Sequence, residues 1–276
     1  MPDIIPFDVG SIEVVVFDVD GTLYRKDIEY TPGHGSVQTA HDFFRFLAFQ
    51  RLRTQGAVPS EVSQRLIDEY GQRVEDGTLV DVVASIPDEI RGDYTGLVNH
   101  YGSNGKVFLN KFGTESSFLQ QMLSHIKFDT ILGADPRLQK TFDTLRQRGY
   151  RLGILTTEVY DTVAQVADVV GFQLGQFDMD TGDNYRILCA ENVTDKKPSP
   201  EGFHRIVELY GVQNPRSVVY VGDHFGKDVE APLKAGLQAV HVDPNHPKKG
   251  IGVADIENGR FEFAKINEVS AITELL

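Results

Sequence analysis

Val14-Val15-Val16-Phe17-Asp18-Val19-Asp20-Gly21-Thr22 is the stretch that decides the fold. Four apolar residues, three of them β-branched, read as a buried strand, because a strand covered on both faces runs continuously apolar. Two carboxylates one residue apart follow at its C-terminal end, and open α/β sheets bind ligands in the crevice beyond that end. In extended chain, side chains two apart share a face, so Asp18 and Asp20 could both approach one cation or one substrate. Gly21 permits a tight turn and leaves room for a phosphate-sized group against backbone N–H donors. The competing reading is a surface turn, since Asp-Gly is a common turn dipeptide.

Three further segments favour the crevice. Arg151-Leu152-Gly153-Ile154-Leu155-Thr156-Thr157 is a second apolar strand, ending in hydroxyls. In Asp195-Lys196-Lys197-Pro198-Ser199-Pro200 two prolines stiffen a loop that presents ammonium groups before an amphipathic run over 202–210. Val218-Val219-Tyr220-Val221-Gly222-Asp223-His224-Phe225-Gly226-Lys227-Asp228 is a third strand, delivering two more acids. Each ends where a parallel strand would reach the same sheet edge. Together they hold a nucleophile, a proton shuttle, a hydroxyl donor, a cation and metal ligands, the set that phosphoryl transfer needs.

These four segments, in this order, resemble the signature segments of the haloacid dehalogenase-like superfamily of phosphohydrolases. The resemblance covers residues 12–26 and about 128–245. It implies an α/β fold: a doubly wound, mostly parallel, Rossmann-like sheet carrying a mainly helical cap inserted after the first core strand. The expected domains are a catalytic core of residues 1–26 and 128–276 and a cap of residues 27–127, which would close over the site and choose the substrate.

Length and composition agree. A chain of 276 residues is long for one ordinary domain, and 41% hydrophobic and 10% aromatic residues suit a soluble globular protein. No apolar run approaches the ~20 residues that span a membrane, and Met1-Pro2-Asp3 lacks the pattern of a signal peptide, so a cytoplasmic protein without a membrane partner is expected. The single cysteine, Cys189, excludes an internal disulfide and reads as a small buried hydrophobe on a strand. A net charge of −13 argues against a nucleic-acid polymer, which needs a basic footprint, but not against a small phosphorylated metabolite. The sequence is silent on oligomeric state.

The insertion reads as mostly helical. Residues 38–55 place Phe43, Phe44, Leu47, Ala48 and Leu52 on one stripe. Pro59-Ser60-Glu61 resembles a helix start, and residues 79–90 and 105–128 are further helical candidates, whereas residues 92–105, rich in Gly, Asn and Tyr, read as a loop. In the core, residues 138–149 and 160–170 read as helices, 186–190 as a strand and 237–242 as the final core strand, with residues 251–276 packing a strand or helix on the core. Asp178, Asp180 and Asp183 cluster without the spacing of a calcium loop and read as solvated.

The resemblance implies residue roles. Asp18 would attack phosphorus and form an aspartyl-phosphate, while Asp20 would protonate the leaving alcohol and later deprotonate water. Mg²⁺ would be held by the Asp18 carboxylate, the Asp20 backbone carbonyl and the Asp223 carboxylate, with Asp228 behind the ion, orienting its water or holding the lysine. Gly21, Thr156 and Lys197 would bind the phosphate, Lys197 also neutralising charge on the nucleophile. Lys196 rivals Lys197, Thr157 stands where many relatives have Asn, and His224 reads as shaping the site entrance. The expected function is a Mg²⁺-dependent phosphatase acting on a nucleotide, sugar phosphate or phosphoglycolate-like ester. A phosphomutase or phosphotransferase on the same core, a phospho-accepting signalling domain and a catalytically dead binding protein are the alternatives.

Overall fold

The computed structural model describes residues 4–177, 187–190, 192–246, 249–257 and 259–276. The acidic cluster of Asp178, Asp180 and Asp183 lies outside them, as does Arg186. The chain divides into two compact units, one formed by Met1–Arg25 with Ala134–Leu276, the other by Lys26–Gly133.

The Lys26–Gly133 unit is helical: α1 (Val37–Gln55), α2 (Pro59–Glu75), α3 (Leu79–Ala84), α4 (Asp88–Tyr101), α5 (Asn104–Phe112), α6 (Phe118–Leu123) and α7 (Phe128–Ile131). Ser36 starts α1: its hydroxyl accepts from the Thr39 N–H while the Thr39 hydroxyl accepts from the Ser36 N–H, satisfying two end donors reciprocally. The stripe on α1 buries Phe43, Phe44, Ala48 and Leu52, joined by Phe46 and Phe49. Tyr70 of α2 packs on Phe43 and Phe44, with ring centroids at 5.7 and 4.9 Å. Tyr94 of α4 contacts Phe46 and Phe49 at 5.3 and 5.4 Å and Phe108 of α5 at 5.9 Å.

The other unit is built on strands β1 (Ile4–Ile5), β2 (Val14–Phe17), β3 (Arg151–Leu155), β4 (Ile187–Leu188), β5 (Val218–Gly222), β6 (Gln238–Val242), β7 (Lys249–Ile256) and β8 (Gly259–Ile266). They form one sheet in the order β1-β8-β6-β5-β2-β3-β4, with β7 also paired to β8. Every pairing is parallel except β7 with β8. Helices α8 (Pro136–Gln147), α9 (Tyr160–Val170), α10 (Glu201–Tyr210), α11 (Ala231–Lys234) and α12 (Ile272–Leu275) complete the unit. All four β2 residues are buried, and their alternation sorts them onto two faces. Val14 and Val16 share a core cluster with Phe203, Ile206 and Tyr210 of α10, while Phe17 meets Phe142 of α8 edge-on at 5.3 Å.

Four expectations need correction. Residues 92–105 are not a loop, since α4 runs to Tyr101. Gly92 and Gly96 face open space on that helix, where each costs about 1 kcal/mol against alanine, and burial of Ile90 and Tyr94 offsets the loss. Residues 79–90 are not one helix either, because α3 ends at Ala84 and Pro87 precedes α4. The 105–128 stretch is divided among α5, α6 and the start of α7. Finally, β6 is not the last core strand: β7 and β8 follow, with Phe261 and Phe263 buried and Glu262 between them partly exposed. Among the described residues no helix is long and apolar enough to cross a membrane.

Candidate active site

The acids arrive at one sheet edge because of the register. Phe17 lies opposite Ile154 of β3 and Val221 of β5, so Asp18, Thr156 and Asp223 all follow adjacent strands at nearly the same level. The Asp18 N–H donates to Val221 O at 2.9 Å, continuing the ladder into the site. Beyond Asp18 the chain turns sharply. The N–H groups of Thr22 and Leu23 both donate to Val19 O, at 3.1 and 2.9 Å, and Gly21 takes the left-handed φ of 85° that the turn requires.

Lys197 occupies the centre. Its ammonium donates to Tyr220 Oη at 2.6 Å and to Asp228 Oδ1 at 2.7 Å, and lies 3.0 Å from Asp18 Oδ1. Two of its three protons go to the Tyr220 and Asp228 oxygens, and Asp18 Oδ1 faces the ammonium as an ion-pair partner. Tyr220 in turn donates to Leu155 O at 2.6 Å, tying the lysine through β5 to β3. The neighbouring Lys196 is exposed and Lys197 is buried, which separates the two rivals. Burial works against the Lys197 charge, but Asp18 and Asp228 outweigh it and raise its pKa above the ordinary value.

Asp228 is fully buried. Besides Lys197 it accepts the His224 N–H on Oδ2 at 2.9 Å, and it rides on a wide π-type turn, Phe225–Glu230, directly after the strand. Gly222 makes this packing possible: a Cβ there would stand 2.4 Å from the Asp228 Cβ. Asp223 accepts from the Thr22 hydroxyl at 3.5 Å, and its carbonyl meets His241 Nε2 at 2.9 Å.

One carboxylate oxygen each from Asp18, Asp223 and Asp228 lies within 4.8 Å of the others. Burial foremost, opposed by Lys197 and aided by the neighbouring Asp228 and Asp223, raises the Asp18 carboxyl to about 7. When all three are ionised, the carboxylates outnumber the one ammonium by two negative charges. Asp18 Oδ1, moreover, is buried and makes no aligned hydrogen bond to a described residue. An all-oxygen donor set with that charge and an under-used buried oxygen fits a hard divalent cation, Mg²⁺ by its small size and oxygen preference.

Asp20 is held differently. Its Oδ1 accepts the Tyr24 hydroxyl proton at 2.6 Å, and the carboxylate cluster does not include it. Thr156 is buried; its hydroxyl oxygen accepts from the Glu158 N–H at 3.2 Å, a contact that leaves the hydroxyl proton unused. His224 Nδ1 accepts from the Lys227 N–H at 3.4 Å, capping the turn that carries Asp228. Cys189 is buried just past β4. Sequence reading missed Tyr24, Tyr220 and His241. Tyr220 sits in an apolar strand where an aromatic residue needs no further explanation, and only its hydroxyl, aimed across the sheet edge, marks it out.

Comparison with known proteins agrees with this construction. The family model described as haloacid dehalogenase-like hydrolase matches residues 12–236. An uncharacterized protein in the fgs 3′ region of Lacticaseibacillus casei is 31% identical over 247 residues, covering 88% of this chain and 92% of that protein. The pyrophosphatase PpaX of Bacillus velezensis is 30% identical over 124 residues, covering 45% of this chain and 53% of that protein, so the chain spans about half the length of that relative. The crystal structure of a phosphatase of the same superfamily from Thermococcus onnurineus superposes with a TM-score of 0.55 at 19% identity, covering 96% of this chain and 97% of the other, a likeness of fold. With the family model matching most of its length and acids at the ends of β2 and β5, where the fold presents its crevice, the chain belongs to the haloacid dehalogenase-like hydrolase family.

Proposed function

We propose that the protein is a Mg²⁺-dependent phosphatase that hydrolyses a small phosphomonoester through an aspartyl-phosphate on Asp18. The observation that carries the reading is the gathering of Asp18, Asp223 and Asp228 around the buried Lys197. Asp18 would attack phosphorus as the ester P–O bond breaks, and Asp20 would give its proton to the departing oxygen. Asp20 would then take a proton from water, which attacks phosphorus and releases phosphate from Asp18. Lys197 would hold the Asp18 carboxylate in line and offset charge on the transferring group, while the Thr156 hydroxyl and the backbone at Gly21 bind its oxygens. The Asp18 and Asp223 carboxylates and the Asp20 carbonyl would hold Mg²⁺, with Asp228 supporting from behind. When bound there, such an ion would keep Asp18 ionised and offset negative charge on the phosphoryl oxygens. The proposal assigns substrate choice to the helical unit, as a cap.

The test is phosphate release from a panel of phosphorylated metabolites, with inorganic pyrophosphate added because the partial Bacillus relative is named a pyrophosphatase. Activity is expected with magnesium and not with EDTA. Asp18→Asn is expected to lose at least about two orders of magnitude, since the covalent route is gone. Full turnover by that variant removes Asp18 from its role. A phosphorylated product isomer in place of free phosphate would make the protein a mutase.

A further inference from the structure

We propose that Tyr24 is the positioning residue for Asp20, fixing the carboxyl that exchanges a proton with the leaving oxygen. The inference rests on the phosphatase reading above and adds a residue to it. Two separate tethers join the pair. The Tyr24 hydroxyl donates to Asp20 Oδ1 at 2.6 Å. The backbones of Asp20 and Tyr24 also form a parallel bridge, closing the loop whose turn is pinned on Val19 O. The tyrosine ring is buried at 5% exposure, whereas Asp20 is only partly buried. Asp20 is partly exposed, and a hydrogen bond from a buried phenol restricts the rotamers its carboxyl can adopt.

The geometry matters because a general acid must reach its proton acceptor within hydrogen-bond distance, and small displacements are costly. One Asp20 oxygen bound to a rigid donor fixes the plane of the carboxyl. Phenylalanine at position 24 would fill the same buried space and retain the backbone bridge, without the hydroxyl that donates to Asp20.

The discriminating measurement is the dependence of rate on leaving group. A good leaving group such as p-nitrophenolate departs without a proton, whereas an alkoxide does not. Wild type, Tyr24→Phe, Asp20→Asn and the double variant are compared on p-nitrophenyl phosphate and glycerol phosphate with magnesium, after thermal melts establish that each is folded. For Tyr24→Phe, kcat on glycerol phosphate is expected to fall roughly 10- to 100-fold, a part of what full loss of a general acid costs, while kcat on p-nitrophenyl phosphate falls less than about 3-fold. KM should hold for both esters. Asp20→Asn should show the same bias more strongly, and adding Tyr24→Phe to it should change nothing further, as expected of a residue acting through Asp20. Equal slowing of both esters by Tyr24→Phe, no slowing of either, or full additivity with Asp20→Asn overturns the inference while the phosphatase reading stands. Absence of phosphate release by the wild type from these two esters and from every member of the metabolite panel overturns both.

Discussion

Lys197→Met removes the only cation in direct contact with the buried Asp18 and Asp228 carboxylates among the described residues. At 3.0 and 2.7 Å, and at an effective dielectric of about 20, each attraction amounts to about 5–6 kcal/mol before desolvation. Burying the ammonium offsets much of this, and the net cost of breaking such a pair is about 3–5 kcal/mol. The cost should depend on pH in a definite direction. Burial, against the pull of Lys197 and with the push of Asp228 and Asp223, leaves the Asp18 pKa at about 7, above the 3.8 of an ordinary aspartate, so the variant, without Lys197, should carry it higher. Between about 4 and that raised value the folded state binds more protons than the unfolded one, hence stability falls as pH rises through this window. The wild type shares this fall up to about pH 7, so the penalty of Lys197→Met should grow above about pH 7 and be larger at pH 8 than at pH 5. Denaturant unfolding of wild type and variant at both pH values, in chelator, measures it. An equal loss at pH 5 and pH 8 would refute the electrostatic account of this lysine.

Gly222→Ala places a Cβ 2.4 Å from that of Asp228, and overpacking of this kind costs about 1–3 kcal/mol. A lowered melting temperature with lost phosphate release is expected, and wild-type melting would contradict the close approach. Tyr220→Phe deprives Lys197 of an acceptor and Leu155 O of a donor, for about 1–3 kcal/mol in denaturant unfolding and a fall in kcat; an unchanged protein would show that the phenol does not orient the lysine.

The meeting of Asp18, Lys197, Asp223 and Asp228 is legible in the sequence because Asp18 and Asp223 stand at the ends of apolar runs, and parallel strands carry their C-terminal ends to one edge. The choice between Lys196 and Lys197 needs no more than burial, yet neighbouring identical residues give no sequence signal for it. Tyr24 and Tyr220 were illegible for different reasons. Tyr220 looks like any strand aromatic, and its link to Lys197 spans 23 positions. Tyr24 lies four residues from Asp20, but only the tight turn at Gly21 brings its hydroxyl back. Helix α4 was hidden by two surface glycines, whose local preference is overridden by the aromatic packing of Tyr94. The β7/β8 hairpin lay beyond the segment where signature residues guide the reading.

The strand order has a bearing on durability. The strand that leads into Asp18 has a partner on each side, whereas among the described residues β7 is held along one side only and carries exposed Ile251 and Val253. Local opening starts where few contacts must be surrendered, and margins open before interiors. This molecule can thus fray at its rim, many times over, while the residues that would handle substrate stay assembled; wear begins where no chemistry is done.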